Sequence, residues 1–141
     1  MKIRSITYFE NLQWPLDVDR VQQASKFISR ARKSFQDGGF EVQTTRLATP
    51  PFPLIVNGEL RLETRKFAAE LESRLISNGF EYVSIGPALP EYPESYSVLP
   101  EVLANSQNIF VAGVMSSSQG GIFPSAINSA IVIALLSESS S

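Results

Sequence analysis

The sequence predicts an α/β fold, a mostly parallel sheet of about four strands with βαβ crossovers. Three observations lead there. First, β-rich runs alternate with helical patterns along the chain, strand then helix, through to residue 136. Strands fed by helices in this order form right-handed crossovers and a parallel sheet. Second, DGGFEV (37–42) and SNGFEYV (77–83) repeat one junction: a helix end, glycine, Phe-Glu and a new strand. A helix-to-strand connection needs this, a glycine cap and then a side chain to cover the strand's start. Third, 141 residues with 43% apolar composition suffice for a single α/β domain, 1–141, with its own core.

Residues 3–9 (IRSITYF) are strand one, with Ile6, Tyr8 and Phe9 as core candidates. Asp17 or Asp19 caps the first helix. Val21, Ala24, Phe27, Ile28, Ala31 and Phe35 recur at helical spacing on its apolar side. Residues 40–47 are strand two. Thr49-Pro50-Pro51-Phe52-Pro53 is expected to stop it, because proline has no amide hydrogen for a central ladder. The prolines would hold Phe52 as a rigid wall beside Arg46; the competing reading is a plain strand stop. A second helix is predicted over 62–77, with Phe67, Leu71 and Leu75 on one side. Residues 81–85 are strand three, closed by Gly86-Pro87. After a loop rich in proline and tyrosine, Ser97 caps a short helix to residue 104. NIFVAGV (108–114) is strand four, apolar throughout as an interior parallel strand should be. MSSSQGG (115–121) reads as a polar, flexible loop. The last helix, 122–136, is apolar on most of its circumference, which predicts burial. Residues 137–141 read as a frayed or truncated end.

Composition excludes several kinds of chemistry. Cysteine and histidine are absent. That removes disulfides, thiol catalysis, the commonest metal ligand and the easiest general base. Glu91 and Glu94 sit in a loop that reads as solvated, so no metal is expected. No nucleotide or other cofactor fingerprint occurs, and none is expected. A formal charge of −2 gives no reason to expect nucleic acid. The run AINSAIVIALL (126–136) is too short to span a bilayer, and no signal peptide is visible. The expectation is no membrane and a cytoplasmic location. Charge is unevenly placed, however. All 12 Lys and Arg lie at or before Arg74, and residues 105–137 carry no charge. Surface elements rarely carry so little. The last third is either central in the fold or packs on something else.

Ligands of parallel sheets usually sit beyond the carboxyl ends of the strands. That edge would be formed by residues 10–17, 48–58, 86–96 and 115–121, all long and unusual, whereas the opposite turns are short. Arg46, at the end of strand two, can clamp a carboxylate or phosphate with its planar fork. The alternative is an ion pair with Glu10 or a loop carbonyl contact. SSSQGG (116–121) leads into the last helix, whose free amides can receive an anion beside Ser117, Ser118 and Gly120.

KIRSITYF, EVQTTRLATPPFP, YVSIGPA and NIFVAGV followed by GGI resemble the N-terminal part of the UPF0210 family, also called DUF711. The likeness covers nearly the whole chain, and QTTRLATPPF (43–52) with SIGPA (84–88) is its most specific part. It singles out Thr44, Arg46, Thr49, Pro50, Pro51, Ser84, Gly86 and Pro87 and gives none of them a role. The resemblance implies a larger pyruvate formate-lyase-like barrel fold, of which this sheet is part, without glycyl-radical chemistry. It also implies an N-terminal fragment, a short relative or a split gene product of a longer protein. Together, motif positions and candidate edge give a ligand-binding set of Arg46, Thr44, Thr49, Ser84, Gly86, Ser117, Ser118 and Gly120. No catalytic residue is assigned.

Two functions compete. One is the substrate-binding half of an enzyme acting on a small anionic molecule, completed by another segment or subunit. The other is a non-catalytic α/β assembly module. In both, a four-stranded sheet with helices on both faces would leave one side of the last helix bare. A homo-oligomer or a partner chain is expected to cover it.

Overall fold

The computed structural model describes residues 1–139. Four strands form one parallel sheet in the order β1-β2-β3-β4: Lys2–Phe9, Glu41–Pro51, Tyr82–Gly86 and Ile109–Phe110. Helices α1 (Val18–Asp37), α2 (Leu60–Leu75) and α3 (Glu94–Ala104) make the crossovers. A small antiparallel hairpin, β5 (Ser116–Ser117) and β6 (Gly121–Ile122), precedes α4 (Pro124–Ser139). The chain thus has the α/β class and the parallel sheet that its pattern predicts.

Strand order here equals sequence order. Right-handed crossovers that always step in one direction deliver every helix to the same face. α1 lies against β1 and β2, α2 against β3, and the four helices follow one another side by side. The expected arrangement with helices on both faces is therefore corrected. One face of the sheet is covered, and the other carries no helix among the described residues.

The core lies under the covered face. Leu47, Val83 and Ile109 form one register row, each less than 5% exposed. They join Ala24 and Ile28 of α1, Phe67 and Leu71 of α2, and Val98 of α3 in a single cluster. Asp17 caps α1 by accepting the amides of Asp19 and Arg20, and Glu59 caps α2 through the amide of Leu62. Phe9, Phe27 and Phe35 were expected in the core and are exposed instead. α1 buries only the narrow stripe Val21, Ala24 and Ile28, so its phenylalanines flank that stripe, against Tyr8 and Phe40. The stripe sits tight on the α2–β3 turn. Gly79 has φ +107°, and a Cβ there would meet Ile28 and Ser29 at 2.8 Å.

β2 does not stop at the prolines. It runs through Pro50 and Pro51 as a central strand between β1 and β3. Its register against β3 shifts between Ala48 and Pro51, and such a bulge is where a sheet tolerates proline. The Thr49 hydroxyl serves the disrupted ladder, accepting the Gly86 amide at 3.0 Å and donating to the Pro50 carbonyl at 2.9 Å. Phe52 then turns inward and is fully buried in the core. The wall beside Arg46 is thereby excluded; the prolines aim Phe52 into the core.

β4 is shorter than the apolar run NIFVAGV suggested. Ser84 pairs with Phe110, and pairing resumes only at Ala88 and Gly113. Pro87 lies between and has no amide to donate. Phe110 is 43% exposed, so β4 is not covered on both faces. α3 begins at Glu94, three residues before the expected cap Ser97, and so takes in Tyr96. Tyr96 is 2% exposed and donates its hydroxyl to the Val114 carbonyl at 2.5 Å. The expected loop 115–121 is the β5–β6 hairpin.

α4 is not enclosed as its all-round apolar character suggested, and one of its sides is bare, as expected for a helix at the end of a small sheet. Ala126 and Ser129 are buried, but Ile127, Ile131, Val132 and Leu135 are 38–60% exposed. Its main neighbour is α3, so it packs on one side only. Of the expected frayed end, residues 140 and 141 lie outside the described residues, while α4 continues to Ser139. No described helix is long and apolar enough to cross a membrane.

Candidate functional site

Side chains of a strand alternate between faces, so the register fixes what stands on the uncovered face. One row holds Thr7, Arg46 and Tyr82. The next holds Phe9, Ala48, Ser84 and Phe110. Arg46 is therefore mid-strand, not at the end of strand two as expected.

The Arg46 guanidinium lies over the Phe110 ring, 4.8 Å from its centroid. Phe110 in turn packs on Tyr82, with ring centroids 5.0 Å apart. A cation over a ring face gains about 0.5–2 kcal/mol, but it is not neutralised. The Arg46 Nε is buried and has no hydrogen-bond partner among the described residues. The Glu10 carboxylate, the alternative partner, instead meets Arg20 at 3.3 Å, and Glu81 meets Arg32 at 2.8 Å. A half-buried cation without a counter-ion is costly, and a carboxylate or phosphate would offset that cost. Hydroxyls of Thr7, Tyr82 and Ser84 share the face as further donors.

The remaining expected ligand residues divide into two groups. Thr44, Thr49 and Gly86 are engaged within the sheet. Thr44 donates to the Arg4 carbonyl at 2.9 Å, and Thr49 and Gly86 bond each other. Pro51 pairs with Gly86, so the two motifs share one end of the sheet, as their topology predicts. Ser117, Ser118 and Gly120 are exposed on the separate hairpin, and Gly120 donates its amide to Ser117 Oγ at 2.8 Å. α4 begins with Pro124, and the amides of Ala126 and Ile127 go to the Phe123 carbonyl. That leaves its first turn few free donors, and no strand register joins the hairpin to Arg46.

A family model described as Uncharacterised ACR (DUF711) matches residues 1–140. The chain belongs to the DUF711 family. No curated protein and no solved structure matches it. Both motif segments of this DUF711 chain contribute to the uncovered face, Arg46 from the first and Ser84 from the second.

Sequence reasoning missed Thr7, Tyr82 and Phe110, because it looked for the site along one edge of the sheet. A signal existed in Tyr82-Val83-Ser84-Ile85, whose polar and apolar residues alternate as on a half-covered strand. Elsewhere on the DUF711 chain, Glu59, Glu91 and Glu94 line a cavity of about 390 Å³ with Tyr92. No group of three or more acidic side chains among the described residues could hold a metal ion.

Proposed function

We propose that the uncovered face around Arg46 binds a small anionic molecule, a carboxylate or a phosphate. In this reading the DUF711 chain is the substrate-binding part of a cytoplasmic enzyme completed by another segment or subunit. The observation that carries it is the Arg46 guanidinium, half-buried, without a counter-ion among the described residues and held over Phe110. A planar fork matches the two oxygens of a carboxylate or phosphate edge. Phe110 and Tyr82 already restrain that fork, so less side-chain freedom is lost on binding.

Thermal melting with a panel of small carboxylates and phosphates tests this. A ligand at about one hundred times its Kd adds about 2.7 kcal/mol, roughly 10 °C for a domain of this size. The shift should appear in the wild type and in Ser117→Ala and vanish in Arg46→Met. Silence across the panel, or a shift that survives Arg46→Met, would rule the site out.

The exposed aliphatic side of α4 favours a second reading, assembly. Ile127, Ile131 and Leu135 stand at helical spacing and are 38–60% exposed. Contiguous apolar surface of this kind commonly marks a contact site. We propose that a second copy or a partner chain covers it. Sedimentation across a concentration series should show self-association that Ile131→Lys removes. A wild-type chain that stays monomeric at high concentration, with no partner, would refute assembly.

A further inference from the structure

The register row Phe9, Ala48, Ser84 and Phe110 is large at both ends and small in the middle. Phe9 is 78% exposed, so it stands clear of its neighbours rather than folding over Ala48. At the other end Arg46 leans from β2 across β3 to reach the Phe110 ring, which takes its guanidinium away from β1. The floor made by Ala48 and Ser84 is thus left open between an exposed ring and a cation. A third wall closes the carboxyl end. Gly86 opens on the same face as Ser84, and the Pro50 backbone lies where its Cβ would stand. The polar atoms that face this trough are reachable. Of the Arg46 nitrogens only Nε is shut in, and the two Nη groups are neither buried nor hydrogen-bonded among the described residues. The same is true of Ser84 Oγ.

Resting on the reading of Arg46 as an anion clamp, we infer that the trough selects an aromatic monocarboxylate. The carboxylate takes the Nη edge of Arg46 and a hydrogen bond from Ser84, and the ring lies on Ala48 beside Phe9. The spacing agrees. Neighbouring strands are about 4.8 Å apart, so a ring over Ala48 is one spacing from the strand of Phe9, within the range of about 4.5–7 Å at which rings attract. Charge decides between the two anions. Arg46 is the one cation in its own row and the next. A single fork matches a singly charged carboxylate, whereas a phosphate dianion would leave charge unmet beside two phenylalanines. The motif residues Ala48, Pro50, Ser84 and Gly86 then act together, as floor and end wall of one site.

The experiment titrates the full chain with benzoate, acetate and inorganic phosphate, following the amide signals of Ala48 and Ser84 by NMR. Benzoate should bind at least about tenfold tighter than acetate or phosphate, the return on burying its ring. Phe9→Ala should weaken benzoate about threefold to tenfold and leave acetate unchanged. Ala48→Leu should fill the floor and block benzoate alone, and Arg46→Met should remove every response. Benzoate binding no tighter than acetate or phosphate would overturn the inference, as would benzoate binding that survives both Phe9→Ala and Ala48→Leu. If acetate or phosphate still bound through Arg46 in that case, the anion clamp would stand without the aromatic selectivity. Silence of all three probes would end both.

Discussion

A Cβ added at Gly86 would lie 2.2 Å from the carbonyl carbon and oxygen of Pro50. Both are backbone atoms of a central strand, so neither can swing away. Gly86→Ala must therefore push the bulge of β2 off β3 and stretch the bond between Thr49 and the Gly86 amide. We expect a loss of about 3 kcal/mol or more, at the upper end of overpacking, read from urea unfolding. A loss below about 1 kcal/mol would mean that the bulge yields freely. The glycine of SIGPA is thus explained by packing, whereas Arg46 is not. Its guanidinium stands on the uncovered face, over Phe110 but with no ion pair among the described residues. Arg46 was legible in the sequence as a cation on strand two, though read at its end rather than mid-strand. Its platform was not, because Tyr82 and Phe110 reach it through strand register, and register is set by packing across the sheet.

Among the elements, α2 was the most legible, since Phe67, Leu71 and Leu75 mark one face by spacing alone. The order of strands and helices was legible for the same reason. β2 and β4 were not. Local chemistry correctly gave the prolines no amide to donate, but the bulge and the Thr49 hydroxyl let the strand continue. An apolar run such as 108–114 has no period, so it cannot show where pairing breaks. α3 is tied to the chain beyond β4 by Tyr96, and that tie makes stability depend on pH. Burial foremost, and the Glu91 charge second, raise the Tyr96 phenol above its ordinary 10.0. A hydrogen bond to Glu10, then burial, raise Tyr8 likewise. The folded form holds these protons more tightly than the unfolded form. Their contribution is complete below about pH 10 and is lost as pH rises through the folded-state values. The urea midpoint should therefore hold up to about pH 10 and fall beyond it, with Tyr96→Phe removing part of the fall. A midpoint that stays level well above pH 10 would contradict this.

Taken together, the chain is a sheet covered on one side, with two unlike surfaces left bare. One is the row around Arg46, aromatic and cationic; the other is the aliphatic side of α4, uncharged from residue 105 to residue 137. Composition alone revealed the second surface and left open whether it was interior or packed on something else, because an all-apolar helix is usually enclosed; the exposure of Ile131 and Leu135 decides against interior. The serial strand order also bears on how the chain folds. Each strand pairs with the next one in sequence, so every pairing closes a single crossover. The crossover joining Ile3 to Val42 is longer than the one joining Val83 to Ile109. The entropy of loop closure distinguishes them by only about 0.4 kcal/mol. Ladder length must then decide the sequence of events. The β1–β2 ladder runs from Lys2↔Glu41 to Phe9↔Ala48, while β3–β4 pairs only Val83 and Ser84 among the described residues. The transition state for folding should therefore contain β1, α1 and β2, with β4 added late. Truncating Leu47 should mainly slow folding, and truncating Ile109 should mainly speed unfolding; the reverse pattern would place the nucleus at the other end of the sheet.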